Sequence, residues 1–342
     1  MDEEAPNFRR WTRASKAKAG AFAALLVIAP TSAWAVMFRM PGDSFAGELA
    51  PLSMAEAATR DALRADLVAL AEGIGERNVG RPAALEEAAA YVERGLRAVG
   101  YEPSRQPVDA DGVACANIDA ERRGTSDEIV LVGAHYDSAL GTPGANDNAS
   151  GVAVLLAVAR GLSWQSVPTR RTLRLVAFVN EEPPYFRTPR MGSAVYASRS
   201  AARGEHIVAM LSLETLGYYS DAPGSQAYPF PMDLAYPDRG NFVAFIGDVG
   251  SRDLVRVAVG AFRGSTAFPS EGAALPAKTI GVGWSDHEPF WNAGYPAIMV
   301  TDTALFRYRA YHTRKDTLDQ IDVDRLARVT GGVTRVVEAL LQ

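Results

Sequence analysis

The sequence predicts an α/β fold: a single domain with a mixed, mostly parallel central sheet and helices on both faces. Short β-branched apolar runs alternate with helical runs from residue 128 onward, and strands separated by helices pair in parallel because each crossover needs a dozen or more residues. The 342 residues are 48% hydrophobic, enough for a sizeable core and too apolar for global disorder. No internal repeat marks a second domain.

Residues 1–39 read as a basic arm and an apolar run. Arg9, Arg10, Arg13, Lys16 and Lys18 precede the uncharged residues 19–38, and Arg39 alone follows. Their length matches a bilayer-crossing helix, and the charge asymmetry places the N-terminus in the cytoplasm and the rest outside. Ala33-Trp34-Ala35 also fits a signal-peptidase site. Both a cleaved signal peptide and an uncleaved membrane anchor are compatible, and either makes the domain extracytoplasmic: membrane-anchored, or secreted or periplasmic.

Residues 40–52 (MPGDSFAGELAPL) form a Pro- and Gly-rich linker. The folded domain, 53–342, opens with Ser53 and Glu56 as a capping box, and Leu63, Leu67, Leu70 and Ile74 recur at helical spacing. A second helix over 83–99 stops at Gly100. The run GVACANIDA alternates as a strand and holds the only cysteine, Cys115, which cannot form an intrachain disulfide. Strands follow at 128–134, 172–179, 207–213, 241–246 and 296–300, and helices at 151–162, 191–203 and 323–341. The irregular stretch 217–240 reads as a surface insertion near a site. Net charge is −5 with scattered Lys and Arg, so nucleic acid is not an expected partner.

Chemistry concentrates in GAHYDS (133–138), GANDNASG (144–151), NEE (180–182) and YHT (311–313). Open α/β sheets bind ligands at the carboxyl ends of their strands, and His135, Asp137, Glu181, Glu182 and Glu214 all fall at such ends. Imidazole and carboxylates without thiolate suit zinc, and also manganese or cobalt, at a hydrolytic site. Asp147 lies in a Gly- and Asn-rich loop before a helix. Asp137, two residues past His135, is positioned to orient that ring. Glu181 and Glu182 point opposite ways in extended chain, so one can bind metal while the other takes a proton from water. Asp286 and His287, in WSDHEPFW, fit either hydrogen bonding beside the base or substrate, or a loop held by its own side chains. Tyr311 is a candidate oxyanion donor or a packed ring, Trp284 and Trp291 are candidate pocket walls, and His206 is expected to be structural.

The series H-x-D, G-x-N-D-N-x-S-G, N-E-E, L-E-x-x-G, S-D-H-x-P-F and Y-H-T-x-x-D-T resembles the MH-clan zinc metallopeptidases of peptidase family twenty-eight. That family includes leucyl aminopeptidases, glutamate carboxypeptidases and transferrin-receptor ectodomains. The resemblance implies a zinc-dependent exopeptidase fold acting on peptide substrates with two zinc ions per chain. His135, Asp147 and Glu214 would hold one and Asp147, Glu182 and His312 the other, with Glu181 as general base. Glu214 stands where many members have Asp. The leading expectation is an aminopeptidase. Alternatives are a glutaminyl-cyclase-like, single-zinc acyltransferase and a non-catalytic binding protein on the same fold. Carboxypeptidase action, side-chain preference and oligomeric state stay open at this level.

Overall fold

The computed structural model describes residues 12–163 and 168–342, except for the side chains of residues 27, 30 and 33. Arg9 and Arg10 of the basic arm lie outside the described residues. The helices are α1 (Arg13–Phe38), α2 (Met54–Leu67), α3 (Pro82–Arg97), α4 (Gly151–Ser163), α5 (Gly192–Ala202), α6 (Arg252–Arg263), α7 (Glu288–Asn292), α8 (Ala304–Arg307) and α9 (Val323–Leu341). The strands are β1 (Ser104–Ala110), β2 (Val113–Arg122), β3 (Glu128–His135), β4 (Thr172–Phe178), β5 (His206–Glu214), β6 (Val243–Asp248), β7 (Ser270–Leu275) and β8 (Ala297–Thr301).

One eight-stranded sheet has the order β1-β2-β4-β3-β5-β8-β6-β7. Its centre, β4-β3-β5-β8, is parallel. Strands β4 and β8 are buried at every residue, as expected of continuous apolar runs covered on both faces. The antiparallel hairpin β1-β2 turns at Asp111-Gly112, both at positive φ, which is the pairing this two-residue turn requires. At the other side β6 runs antiparallel to β8 and parallel to β7.

Local chemistry sets the helix ends. Ser53 and Glu56 cap α2 reciprocally, Glu56 N–H donating to Ser53 Oγ at 3.2 Å and Ser53 N–H to Glu56 Oε2 at 2.8 Å. Helix α3 begins with Pro82, buries Leu85, Ala88, Ala89, Val92 and Leu96, and is followed by Gly100 at φ +87°. Helices α2, α3, α4, α6 and α9 enclose the larger core on one face of the sheet, with Val130, Val132 and Leu211 at its centre. Tyr196 of α5 and Phe290 of α7 close a smaller core over Leu131, Phe178 and Met210 on the other.

The N-terminal segment requires a correction. Residues 13–38 are helical, but among the described residues no helix is long and apolar enough to cross a membrane. Half of residues 19–38 are Ala, Gly, Ser or Thr, which dilutes the apolar run. The end of α1 docks on the domain, where Met37 and Phe38 pack with Tyr236, Leu275 and Val282, and Arg252 Nε donates to Val36 O at 3.0 Å. The linker has no helix or strand and is pinned: Arg263 Nη1 donates to Gly42 O at 2.7 Å and Ser270 N–H to Ser44 Oγ at 2.9 Å.

Gly151 shows how the fold positions the loop before α4. A Cβ there would lie 2.3 Å from Asn148 Oδ1 and 2.5 Å from Leu213 O, so only glycine lets α4 back onto β5. Gly151→Ala is expected to cost about 1–3 kcal/mol by overpacking. Urea denaturation checks this, and an unchanged midpoint would contradict the close approach.

Candidate metal centre

The four motifs converge on one rim. His135 ends β3 and Glu214 ends β5; Glu181 and Glu182 follow β4 in the same turn; Asp147 sits in the loop between β3 and α4. His312 comes from the loop between α8 and α9, at φ +55°, a costly backbone state that aims its ring inward.

Asp147 is the shared member. Its Oδ1 lies 3.2 Å from His135 Nε2, which is also 3.3 Å from Glu214 Oε2. Its Oδ2 lies 2.9 Å from His312 Nε2, which is also 3.2 Å from Glu182 Oε2. Donor atoms of His135, Asp147 and Glu214, and of Asp147, Glu182 and His312, fall within 4.8 Å of one another, as do those of His135, Glu181 and Glu182. Both ring nitrogens of His135 and both carboxylate oxygens of Glu182 are buried without a hydrogen-bond partner. Buried polar atoms are rarely left so, and an all-nitrogen-and-oxygen donor set of this geometry fits zinc.

Burial and crowding set the charges. Burial opposes ionisation of Asp147, but His135 and His312 hold its carboxyl well below the ordinary value. Burial, reinforced by the Asp147 charge, pushes Glu182 up to about 8. Burial also lifts Glu181 well above a normal glutamate, helped by Glu214, Glu182 and Asp286. Burial alone would lower His312; Asp147 and Glu182 overcome it and raise it to about 10. Like charges forced together in a dry site behave this way until a cation joins them.

The loop carrying Asp147 is braced on all sides. Asp316 accepts the backbone N–H groups of Asn146 (2.7 Å) and Asp147 (3.1 Å) and the Tyr308 hydroxyl (2.8 Å). Asn148 donates to Leu213 O at 2.8 Å and accepts from Gly151 N–H and Thr215 N–H. Asn146 donates to Asp302 at 2.9 Å and accepts from Gly217 N–H. The Asp147–Asn148 peptide is cis. The asparagines flanking Asp147 are therefore struts between loop and sheet.

Asp137 accepts the backbone N–H groups of Glu181 and Glu182, both at 3.2 Å, and lies 3.5 Å from His135 Nδ1. It ties two ligand-bearing turns together. Asp286 is fully buried near the cluster, where burial raises it to about 7. Its neighbour Ser285 donates to Glu214 Oε2 at 2.7 Å. His287 points elsewhere: Nε2 meets Val282 O at 2.7 Å, the ring stands edge-on to Trp291, and burial lowers its pKa to about 4. Trp291 donates to Ala297 O; His206 is exposed at the far end of β5. Tyr311 stacks on His312 with ring centroids 3.9 Å apart. With Glu214, Trp284 and the insertion residues Tyr228, Met232 and Tyr236, it lines a mainly apolar pocket.

Sequence reasoning missed Arg77. It is wholly buried and donates to Tyr136 O (2.7 Å), Gly75 O (3.1 Å), Pro143 O (2.6 Å) and Gly144 O (2.8 Å), clamping the exit of β3 to the Asp147 loop. Burial lowers its pKa to about 10, while Asp316, Asp137, Asp147 and Glu182 work to keep it charged. Its partners are carbonyls, which leave no mark in a sequence.

Fold and site together define the class as a zinc-type hydrolase built on a mixed α/β sheet. A family model described as Peptidase family M28 matches residues 117–337, and the chain belongs to that family. It is 40% identical over 258 residues to the uncharacterized protein YfbL of Escherichia coli (strain K12), covering 73% of this chain and 78% of that one. It is 31% identical over 220 residues to aminopeptidase YwaD of Bacillus subtilis (strain 168), covering 61% of this chain but only 40% of that one. Among solved structures, the fold matches BSAP, a zinc aminopeptidase from Bacillus subtilis, with a TM-score of 0.62 at 17% identity over 83% of this chain and 95% of that one. It also matches Fimbriiglobus ruber glutaminyl cyclase with a TM-score of 0.61 at 18% identity over 88% and 99%.

Arg77→Met removes a fully buried cation from beside these carboxylates and strands its carbonyl partners. The expected loss is about 3–5 kcal/mol, read by chemical denaturation, with Arg77→Lys less damaging because the charge remains. A loss below about 1 kcal/mol would remove Arg77 from this role.

Proposed function

We propose that the chain is an exported di-zinc aminopeptidase that hydrolyses N-terminal peptide bonds. The observation that carries this reading is the division of Asp147 between two donor sets, one with His135 and Glu214, the other with Glu182 and His312. Divalent ions held by these residues would supply Lewis acidity for a bound water and for the scissile carbonyl.

Glu181 is the proton carrier. Its Oε2 lies 3.9 Å from His135 Nε2, farther than Asp147 or Glu214, and its raised proton affinity suits a group that accepts a proton from the attacking water and returns it to the leaving amine nitrogen. Burial, with Asp147 and Glu214 nearby, keeps Tyr311 a neutral phenol, able to donate its hydroxyl proton toward the developing oxyanion. Among the described residues no Lys or Arg lines the pocket, whereas Glu214 does at the metal-centre end. That balance favours an N-terminal ammonium over a C-terminal carboxylate, and so amino- over carboxypeptidase action. The basic arm and apolar run at the N-terminus support export.

The glutaminyl-cyclase reading shares the fold, so the discriminating feature is the donor set: His135 and Glu214 stand ready for a second ion that a single-zinc acyltransferase does not need. Glu181→Gln is expected to lower kcat on aminoacyl amides about 10²- to 10⁴-fold with zinc content unchanged. Full activity would remove Glu181 as base, and pyroglutamate formation without amide hydrolysis would reverse the assignment.

A further inference from the structure

The pocket floor is a straight row of four residues across the sheet. Glu214 of β5 pairs with Thr301 of β8, Thr301 with Ala244 of β6, and Ala244 with Glu271 of β7. All four line the pocket. With strands about 4.8 Å apart, the row is about 14 Å long, and its two middle side chains are short. The result is a trough with a carboxylate at each end, walled by Tyr236, Val282, Trp284 and Phe306.

The two ends differ. Glu214 belongs to the metal centre. Glu271 lies at the sheet edge with its side chain 21% exposed and Arg263 Nη2 at 3.6 Å. Arg263 gives four of its five N–H donors to other groups, Nε to Ser270 Oγ, Nη1 to Pro41 O and Gly42 O, and Nη2 to Ser270 O, and the 3.6 Å to Glu271 is too long for a hydrogen bond. The Ser44 hydroxyl reaches the Glu271 carboxyl, yet burial still holds its pKa above the ordinary value. A largely desolvated carboxylate with few donors, at the far end of an apolar trough, is a site for a cation.

Resting on the aminopeptidase reading, we propose that Glu271 selects peptides that begin with lysine or arginine. The aliphatic stem of the first side chain lies along the apolar walls and its charged end meets Glu271, the usual division of an amphipathic side chain. The reach is sufficient. A lysine spans about 6 Å from Cα to Nζ and Glu271 adds about 4 Å. A hydrogen bond of about 3 Å between the two groups brings the span to about 13 Å, close to the length of the row.

The test compares lysyl, arginyl and norleucyl amides on the full chain and on Glu271→Gln, which keeps the shape and removes the charge. Glu271→Gln is expected to lower kcat/KM for the lysyl and arginyl amides about 10- to 100-fold and to change the norleucyl amide by less than about 2-fold. Zinc content and thermal midpoint establish that the variant is folded and loaded. Turnover with the same response to Glu271→Gln on all three amides overturns this proposal alone. Absence of turnover on every amide by the loaded wild type overturns the aminopeptidase reading and the proposal with it.

Discussion

The two oxygens of Asp147, one facing His135 and the other His312, are the constraint around which the site is arranged. A carboxylate can serve two centres only if its loop is rigid and both imidazoles arrive from opposite sides. One arrives at the end of β3. The other is carried by a loop more than 160 residues later, held at a positive φ that costs energy and so must be imposed by its surroundings. Asp316 closes the distance between these parts, since the loop that bears His312 also binds the Asp147 backbone.

Gathering Asp137, Asp147, Glu181, Glu182 and Glu214 in a buried space works against folding, because like charges repel and each loses its water. Arg77 is a permanent counter-charge, buried behind the Asp147 loop. The stretch Glu181-Glu182 is held by Asp137 through backbone N–H groups, so two acidic side chains can face the site without either spending an oxygen on its own support. Stability and preorganisation come from the same contacts.

Much of this was legible in the chain. The parallel strands announced themselves as continuous apolar runs, and α9 begins and ends where the sequence placed it. The candidate metal-centre residues could be gathered because each sits in a short motif, and those of His135, Glu182 and Glu214 fall at strand ends, where the topology of an open sheet brings distant segments together. Other parts left weak signals. Strand β1 contains Pro107 and alternates polar residues, acceptable at an edge but poor evidence of a strand. Strand β7, SEGAAL, has few β-branched residues and exists through its register with β6. Arg77 acts on carbonyls, and the facing of Glu271 toward Glu214 depends on three successive strand pairings; neither is visible in local patterning. For His287 the sequence allowed two readings, and the structure bonds its ring to Val282 O within its own loop.

The central claim is that Asp147 joins two metal ions. Zinc content by inductively coupled plasma mass spectrometry, on the full chain and on Asp147→Asn, tests it most directly. The account predicts two zinc ions per wild-type chain and near-complete loss of both in a variant that circular dichroism shows to be folded. One zinc per wild-type chain, or retention of two after the substitution, would contradict it.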